Sequence, residues 1–233
     1  FFYFNNLGLL IKLPDEKHLA SVLKCNKINI LVDHPAFTIA RKKELLTGKD
    51  FIEYVVDREH VEYLDNYQGI YSDNRFLPHG GKALNMNIKS LAERSIDVLY
   101  VGATKDYPMP TEEICIKCVD AMIENCDISA QKVIRRVLEE EFLTPDDDSS
   151  CIRQESIDYL HANELVALGY YRTETVRCLV EAGVKVEVHG PGWEGIDFAD
   201  NPNLIIGDGL TPVECLEKMY DSKIVLNSMP WFK

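Results

Sequence analysis

Short apolar runs, many of them rich in β-branched residues, recur along this chain and are separated by segments with helical spacing of apolar residues. Runs of this kind, bounded by glycine or polar residues, predict strands, and their alternation with helices predicts βα units. Strands joined in this way are parallel and covered on both faces. An α/β fold is therefore expected. The predicted strands are 27–32, 51–56, 69–71, 97–101, 185–188, 203–206 and 223–226.

Helices are predicted between these strands from apolar spacing and from end signals. Thr211 precedes Pro212 and stands three residues before Glu214, which is the pattern of an N-cap, a first-turn proline and a capping box. Gly183 follows the longest predicted helix at the position of a C-cap. The predicted helices are 57–67, 111–125, 129–142, 156–182 and 211–221.

Two domains are the expected organisation for 233 residues. Pro78–Gly81 begins an irregular polar stretch that suits an interdomain connector. The stretch between the strands at 97–101 and 185–188 is longer than a βα crossover needs, so part of it is interpreted as a helical insertion. The N-terminal domain is therefore expected at 1–80, the connector at 81–95 and the C-terminal domain at 96–233, with the helical insertion at 106–160.

Both ends of the chain are expected to be truncated. The chain opens at Phe1–Phe4 in a strand-like run without an initiator Met, and it ends at Trp231–Lys233 shortly after a predicted strand. The first domain is therefore expected to lack its start, and the second domain is expected to lack its end.

The formal net charge of -13 argues against a protein that binds nucleic acid or an anionic membrane. Such proteins need a basic surface to displace counterions from phosphates. The apolar runs are also too short to cross a bilayer. A cytoplasmic protein without a membrane span is therefore expected.

The seven cysteines are scattered and are expected to be reduced and buried. Cys115 and Cys118 have the spacing of a zinc knuckle or redox pair, but a spacing of three on a helix is also common in cores. The chain has no second pair of this kind, and the acidic run Asp146–Asp148 is interpreted as a solvated loop. No metal is therefore expected.

Ligands of open α/β sheets bind beyond the carboxyl ends of the strands, so the residues that follow each strand are candidates. Asp33 and His34 follow the strand at 27–32 and could serve as an orienting acid and a general base. The alternative is that Asp33 caps a helix that has Pro35 in its first turn.

Gly102, Thr104 and Lys105 follow the strand at 97–101. A turn of small residues can offer backbone N–H groups, and here one lysine, to a diphosphate. The loop matches neither a Walker A sequence nor the GxGxxG fingerprint, which sets aside a P-loop protein and a dinucleotide-binding enzyme.

Two further loops complete the set of candidates. His189 opens a loop in which Gly190 and Gly192 permit close backbone approach and Trp193 can lie against a base or a sugar. The alternative is that Trp193 fills the edge of a core. A nucleotide can also rest against the helix start at Leu210–Pro212, although the capping box alone explains those residues.

Taken in order, these segments resemble the spore-maturation (CgeB-like) glycosyltransferase family, a branch of the GT-B glycosyltransferases. The similarity extends along nearly the whole chain, and the order and spacing of the segments carry it. The segments are Phe4–Gly8, Val32–Pro35, Tyr54–Arg58, Tyr63–Leu64, Phe76–Gly80, Ile96–Gly102, Tyr171–Arg172, Ala182–Gly183 and His189–Trp193.

The resemblance implies two facing Rossmann-like domains, with Pro78–Gly81 at the hinge and a metal-independent transfer of sugar to an acceptor hydroxyl. The nucleotide-sugar is a co-substrate and no cofactor is implied; the acceptor is a glycan, a protein or a small molecule. Asp33 and His34 would face the cleft from the acceptor side. The residues implied at the donor are Gly102, Thr104 and Lys105 near the phosphates, and His189, Gly190, Gly192, Trp193, Leu210, Thr211 and Pro212 near the base and ribose.

Other functions remain open from the sequence. A GT-B relative that binds carbohydrate or nucleotide without catalysis is the main alternative, and a nucleotide-sugar epimerase is another. A signalling receiver is disfavoured by the two-domain layout. For the glycosyltransferase, Gly192→Val is expected to abolish nucleotide binding without disturbing the fold, and His34→Ala to reduce transfer without changing donor affinity.

Overall fold

A computed structural model describes residues 1–9, 11–36, 51–65, 73–80, 89–105, 107–144, 147, 152, 154–161 and 163–227. The described residues confirm the α/β fold, because they form two four-stranded sheets in which neighbouring strands are parallel. The chain divides into two compact units. The described residues of the first lie within Phe1–Gly81 and Phe142–Ala162, and those of the second lie within Lys82–Glu141 and Asn163–Trp231.

The elements are numbered in chain order. The described strands are β1 Phe2–Phe4, β2 Lys27–Leu31, β3 Phe51–Val55, β4 Asp73–Phe76, β5 Ile96–Val101, β6 Val186–His189, β7 Leu204–Gly207 and β8 Ser222–Val225. The described helices are α1 Leu19–Val22, α2 Arg58–Asp65, α3 Glu113–Glu124, α4 Ala130–Phe142, α5 Gln154–His161, α6 Glu164–Glu181 and α7 Pro212–Tyr220.

The sheet of the first unit has the strand order β1-β2-β3-β4. Alternate residues of β3 are buried, as expected for a strand that presents one face to a core. That face also carries a polar pair, in which Asn29 Nδ2 donates to Glu53 Oε1 at 2.6 Å across adjacent strands. Asp57 accepts the backbone N–H of Glu59 at 2.8 Å and so caps the start of α2.

The sheet of the second unit has the order β7-β6-β5-β8, so the direction in which the strands are added reverses between β5 and β8. Ligands of doubly wound sheets bind at the carboxyl ends of strands near such a reversal. Helix α6 buries Val176 and Val180 against Val98 and Val186 of the sheet. This packing covers one face of the sheet and fixes the start of β6.

The strand predictions hold to within one residue at either end for six of the seven predicted strands. The prediction at 69–71 lies outside the described residues. Strand β4 was not predicted, because Asp73 and Asn74 belong to residue types that are depleted in strands. Pairing with β3 nevertheless holds this segment in a strand.

The prediction of one helix over 156–182 was wrong. Helix α5 ends at His161, and α6 begins at Glu164 with Asn163 as its N-cap. Asparagine favours helix starts over helix interiors, because its side chain competes for backbone hydrogen bonds. The two helices also belong to different units, since Phe142–Ala162 groups with the first unit although it was predicted within the second domain.

No helix among the described residues combines the length and the apolar character that a membrane crossing requires.

Candidate functional site

The loops that follow β5 and β6 are hydrogen-bonded to each other. The N–H of Gly102 donates to His189 O at 2.8 Å, and the N–H of Thr104 donates to Pro191 O at 3.1 Å. The indole Nε1 of Trp193 donates to Gly102 O at 2.9 Å. These two backbone N–H groups are therefore engaged within the protein, contrary to the expectation that the loop offers them to a diphosphate.

The glycines of this region are required by loop packing. Gly190 and Gly192 have positive φ angles of 136° and 101°. A Cβ atom at Gly190 would lie 2.6 Å from the carbonyl group of Gly102, and one at Gly192 would overlap the carbonyl oxygen of Thr104. The expectation that Gly192→Val leaves the fold undisturbed is therefore wrong, because a side chain there collides with backbone.

A cavity of about 710 Å³ lies beside these loops. Its walls come from the segment after β5, from α6 and from the turn after β6, and the residues that line it include Thr104, Lys105 and Gly192. Ligand pockets for small molecules and cofactors typically have volumes of about 300 to 1,000 Å³. The cavity is therefore large enough for a nucleotide.

One end of the cavity carries a cation and hydroxyl groups. The ammonium of Lys105 lies 4.9 Å from the centroid of the Tyr107 ring. Among the described residues, no carboxylate forms an ion pair with Lys105, whose side chain is exposed. The hydroxyl of Thr173 donates to Gly169 O at 3.1 Å and accepts from that of Thr104 at 2.8 Å, so both hydroxyl protons are used within the protein. Lys105 is therefore the group here that can pair with an anion.

Another part of the lining contains one cation and two carboxylates. Arg177 Nε donates to Glu174 at 2.8 Å, and its two terminal nitrogens donate to Asp197 at 3.0 and 2.7 Å. These bonds raise the pKa of Arg177, and the guanidinium lowers the pKa of the Asp197 carboxyl. The guanidinium also lies 4.4 Å from the centroid of Phe198. Arg177 is therefore held in place by its own protein partners.

Apolar and aromatic groups line the rest of the cavity. Tyr170 lies on α6 with 47% of its surface exposed, and Met109 is exposed as well. Val166 and Ile196 contribute aliphatic surface. An exposed aromatic ring in such a wall can stack on a nucleobase or against a sugar.

His189 is buried, and its ring belongs to a network with Glu187, Asp208 and Lys218. Its Nδ1 lies 2.7 Å from Asp208 O and its Nε2 lies 2.7 Å from Glu187 Oε1, while Lys218 Nζ donates to the same oxygen at 2.5 Å. Burial alone would raise the pKa of Glu187, but the hydrogen bonds from Lys218 and His189 outweigh it and lower the pKa.

The predicted donor residues therefore fall into groups with different surroundings. Thr104, Lys105 and Gly192 line the large cavity, whereas Leu210 lines a separate cavity of about 350 Å³. Thr211 begins α7, and both hydrogen bonds of its capping box with Glu214 are present. Gly102, Gly190 and His189 hold the loops together, as described above, and Pro212 is the first residue of α7.

Trp193 does not take the role that the resemblance implies for it. Its exposed fraction is 0%, and its ring packs edge-on against Tyr100 with the centroids 5.5 Å apart. The alternative, in which this tryptophan fills the core, describes the structure. A large apolar ring at the edge of a sheet is more stable buried than lying open to a ligand.

Sequence reasoning missed the lining that α6 supplies, because it considered only the residues after each strand. Tyr170, Thr173 and Arg177 lie within a helix. One signal was available, since Gly169 interrupts the helical sequence, and an interior glycine indicates close backbone approach. A Cβ atom at Gly169 would lie 2.7 Å from Lys105 O.

In the first unit, Asp33 and His34 have different partners. The exposed Asp33 carboxylate accepts from Asn5 Nδ2 at 2.8 Å. The backbone N–H of Ala36 donates to His34 Nδ1 at 3.1 Å, so the histidine, and not Asp33, accepts from this amide. Residues 37–40 lie outside the described residues.

His34 is neutral in this environment. Burial and the neighbouring His161 and His60 hold the pKa of His34 well below its ordinary value of 6.5. Because its Nδ1 accepts a hydrogen bond, the proton of the neutral ring is on Nε2. A ring in this state donates from one nitrogen and has its other nitrogen occupied, which does not suit the role of general base.

The cysteines of the described residues are free thiols. Cys115 and Cys118 are buried, as the interpretation of their spacing as a core pattern expects, and burial raises the pKa of Cys118 to about 11. The expectation that all the thiols are buried was wrong, because Cys25, Cys126 and Cys178 are exposed. Within the described part of the chain, no three His, Cys, Asp or Glu side chains form a group suited to a metal ion.

Comparisons with protein-family models, with curated proteins and with solved structures found no match. What this site binds is therefore inferred from its own geometry and from the resemblance stated above.

Proposed function

We propose that this chain belongs to a glycosyltransferase of the GT-B type, which transfers a sugar from a nucleotide-sugar to an acceptor hydroxyl. The observation that carries the proposal is the 710 Å³ cavity of the second unit. Its lining offers the Lys105 ammonium and the exposed Tyr170 ring. A nucleotide-sugar combines an anionic diphosphate with flat and apolar surfaces, which suits this combination.

The strand order supports the same proposal. The order β7-β6-β5-β8 is that of the first four strands of a dinucleotide-binding sheet, and the cavity lies beside loops that leave the carboxyl ends of β5 and β6. The assignment to the spore-maturation branch rests on the resemblance alone.

In the proposed reaction, the acceptor hydroxyl attacks the anomeric carbon and the nucleoside diphosphate leaves. Charge that develops on the leaving diphosphate is stabilised by a nearby cation. Lys105 supplies that cation, since the amides of Gly102 and Thr104 are engaged within the protein.

The acceptor hydroxyl must lose a proton during this attack, and Asp33 is the proposed general base. Its carboxylate is exposed, and the hydrogen bond from Asn5 goes to Oδ2, which leaves Oδ1 for a substrate. A positioned base typically contributes about 10² to 10⁴ in rate. His34 is assigned no proton transfer here, because its Nδ1 accepts the Ala36 amide.

The test is the release of nucleoside diphosphate from UDP-, GDP-, dTDP- and CDP-sugars, first with water as acceptor. We expect Asp33→Asn to lower this rate by about 10² or more, because the substituted amide cannot take a proton. Asp15→Asn, which alters another exposed carboxylate of the first unit, should leave the rate unchanged. Equal rates for the two variants would remove Asp33 from the chemistry.

The second candidate is a module that binds nucleotide or carbohydrate without catalysis. The state of His34 favours it, because the imidazole that the resemblance implies at the acceptor side is neutral with Nδ1 occupied. Such a module would bind a nucleoside diphosphate at Lys105 and release none from any nucleotide-sugar.

A further inference from the structure

Three histidine side chains pack together in the first unit. The rings of His34 and His161 are stacked with their centroids 4.0 Å apart, and the ring of His60 lies edge-on to His34 at 4.5 Å. The three residues come from distant parts of the sequence, namely the loop after β2, helix α2 and the last residue of α5. We call this group the three-histidine cluster.

The arrangement does not suit a shared metal ion. The planes of the His34 and His161 rings are inclined by only 24°, so their in-plane lone pairs do not converge on one point. The described residues also contain no group of ligands that could hold a metal ion. The three imidazole rings therefore pack against one another and do not share a metal ion.

The surroundings of His34 disfavour its charged form. His60 and His161 are buried, and the ring of Tyr63 on α2 lies 4.9 Å from the His34 ring. The charged forms that act on His34 are those of His161 and His60, and both repel a proton on His34. Of the carboxylates nearest in sequence, Asp33 accepts from Asn5 Nδ2 and Asp57 accepts from the Glu59 amide.

The cluster includes the C-terminal end of α5. This helix buries Ile157, Leu160 and His161, and it belongs to the first unit. Its neighbours in sequence, α4 up to Glu141 and α6, belong to the second unit. The stacked His34–His161 pair is one of the contacts that join α5 to the first unit.

We propose that the three-histidine cluster is a pH-sensitive latch, which holds α5 on the first unit at neutral pH and releases the helix on acidification. Histidine clusters that titrate near pH 5 to 6 are a known way of switching a packed interface. The latch goes beyond the proposed transferase and does not depend on it.

The direction of the pH dependence follows from the lowered pKa of His34. When α5 is released, His34 binds a proton with its ordinary pKa of 6.5. The packed His34 has a lower pKa, so release is accompanied by proton uptake as the pH falls below 6.5. The stabilisation is fully present above 6.5 and is lost as the pH falls towards the lowered value. For each proton taken up on release, the equilibrium constant for release rises about tenfold per unit fall in pH.

The test is hydrogen exchange of backbone amides between pH 7.5 and pH 5.0, with rates corrected for intrinsic exchange. We expect the protection of 154–161 to fall by about tenfold per pH unit below 6.5. The amides of β2, β3 and α6 should keep their protection. A constant protection of α5 would overturn the proposal, and so would equal losses in α5, β2 and β3, which would indicate unfolding of the whole unit.

Two variants test the role of the rings. His34→Asn keeps an acceptor for the Ala36 amide, and His161→Phe keeps a flat ring for stacking, while neither new side chain titrates in this range. Both should reduce the pH dependence of α5 protection. If the protection of α5 depends on pH as steeply in both variants as in the wild type, other groups cause the effect and the proposal is overturned. If either variant fails to fold, the wild-type measurement decides alone.

Discussion

At the scale of single residues, the position of Gly192 in the candidate site requires a glycine because of a close backbone contact, not because of a contact with a ligand. Its φ of 101° lies in the left-handed region, and the space that a Cβ atom would occupy is taken by the Thr104 carbonyl. Gly195, three residues later in the same turn, has no atom within 4 Å of its Cβ position. The two glycines form a matched pair for measuring the cost of a side chain.

We predict that Gly192→Ala destabilises the protein by about 2 kcal/mol or more, through steric overlap and an unfavourable φ. Gly195→Ala should change the free energy of unfolding by less than about 0.5 kcal/mol, as is usual for a substitution into open space. Urea denaturation of both variants measures the difference. Equal effects would mean that the loop after β6 adapts, and that its contact with Thr104 is not tight.

The residues of the site were only partly predictable from the sequence. Thr104 and Lys105 were predicted because they follow a strand, and strand ends are recognisable from local pattern. Tyr170 was missed because it lies on a helix, where an exposed aromatic residue carries no signal of what it faces. Trp193 was placed at the ligand because sequence does not reveal whether a ring turns into the core.

At the scale of the secondary-structure elements, α7 is the helix whose start the sequence specifies most completely. Thr211 accepts from the Glu214 amide at 3.4 Å, and Glu214 accepts from the Thr211 amide at 2.7 Å. Pro212 occupies the first turn, where its missing N–H costs nothing. These local signals predicted the helix start without any knowledge of tertiary structure.

We predict that Thr211→Ala lowers the free energy of unfolding by about 1 kcal/mol, since alanine cannot accept the Glu214 amide. Thr211→Ser keeps the hydroxyl and should have little effect. Thermal and urea unfolding of the two variants gives the comparison. A loss of the same size in both would point to the methyl group of Thr211 rather than to its cap.

The break between α5 and α6 is the opposite case. Apolar spacing continues through this region, so local pattern predicted one helix, but the two halves pack in different units. Ile157 and Leu160 of α5 are buried, so tertiary packing rather than local pattern decides where this helix lies. Strand β4 is also determined by tertiary contacts, because pairing with β3 overrides the poor strand propensity of Asp73 and Asn74.

At the scale of the whole molecule, the chain combines two compact units with a formal net charge of -13. The parallel sheets follow from the alternation of strand and helix patterns, so the fold class was predictable from the sequence. The assignment of Phe142–Ala162 to the first unit was not predictable from the sequence, since it depends on contacts between distant segments. A net negative charge also means that a bound anion must gain its attraction from a local cation, and Lys105 is the candidate in the large cavity.

The most direct test of the central claim is calorimetric titration of UDP, GDP, dTDP and CDP into the protein and into two lysine variants. We predict that one nucleotide binds, and that Lys105→Ala weakens its binding by about tenfold or more, in line with the loss of a charged hydrogen bond. Lys117→Ala, which changes a lysine of α3 paired with Glu113 and Glu141, should bind as the wild type does. Absence of binding for all four nucleotides, or equal binding by both variants, would contradict the assignment of this cavity to a nucleotide-sugar.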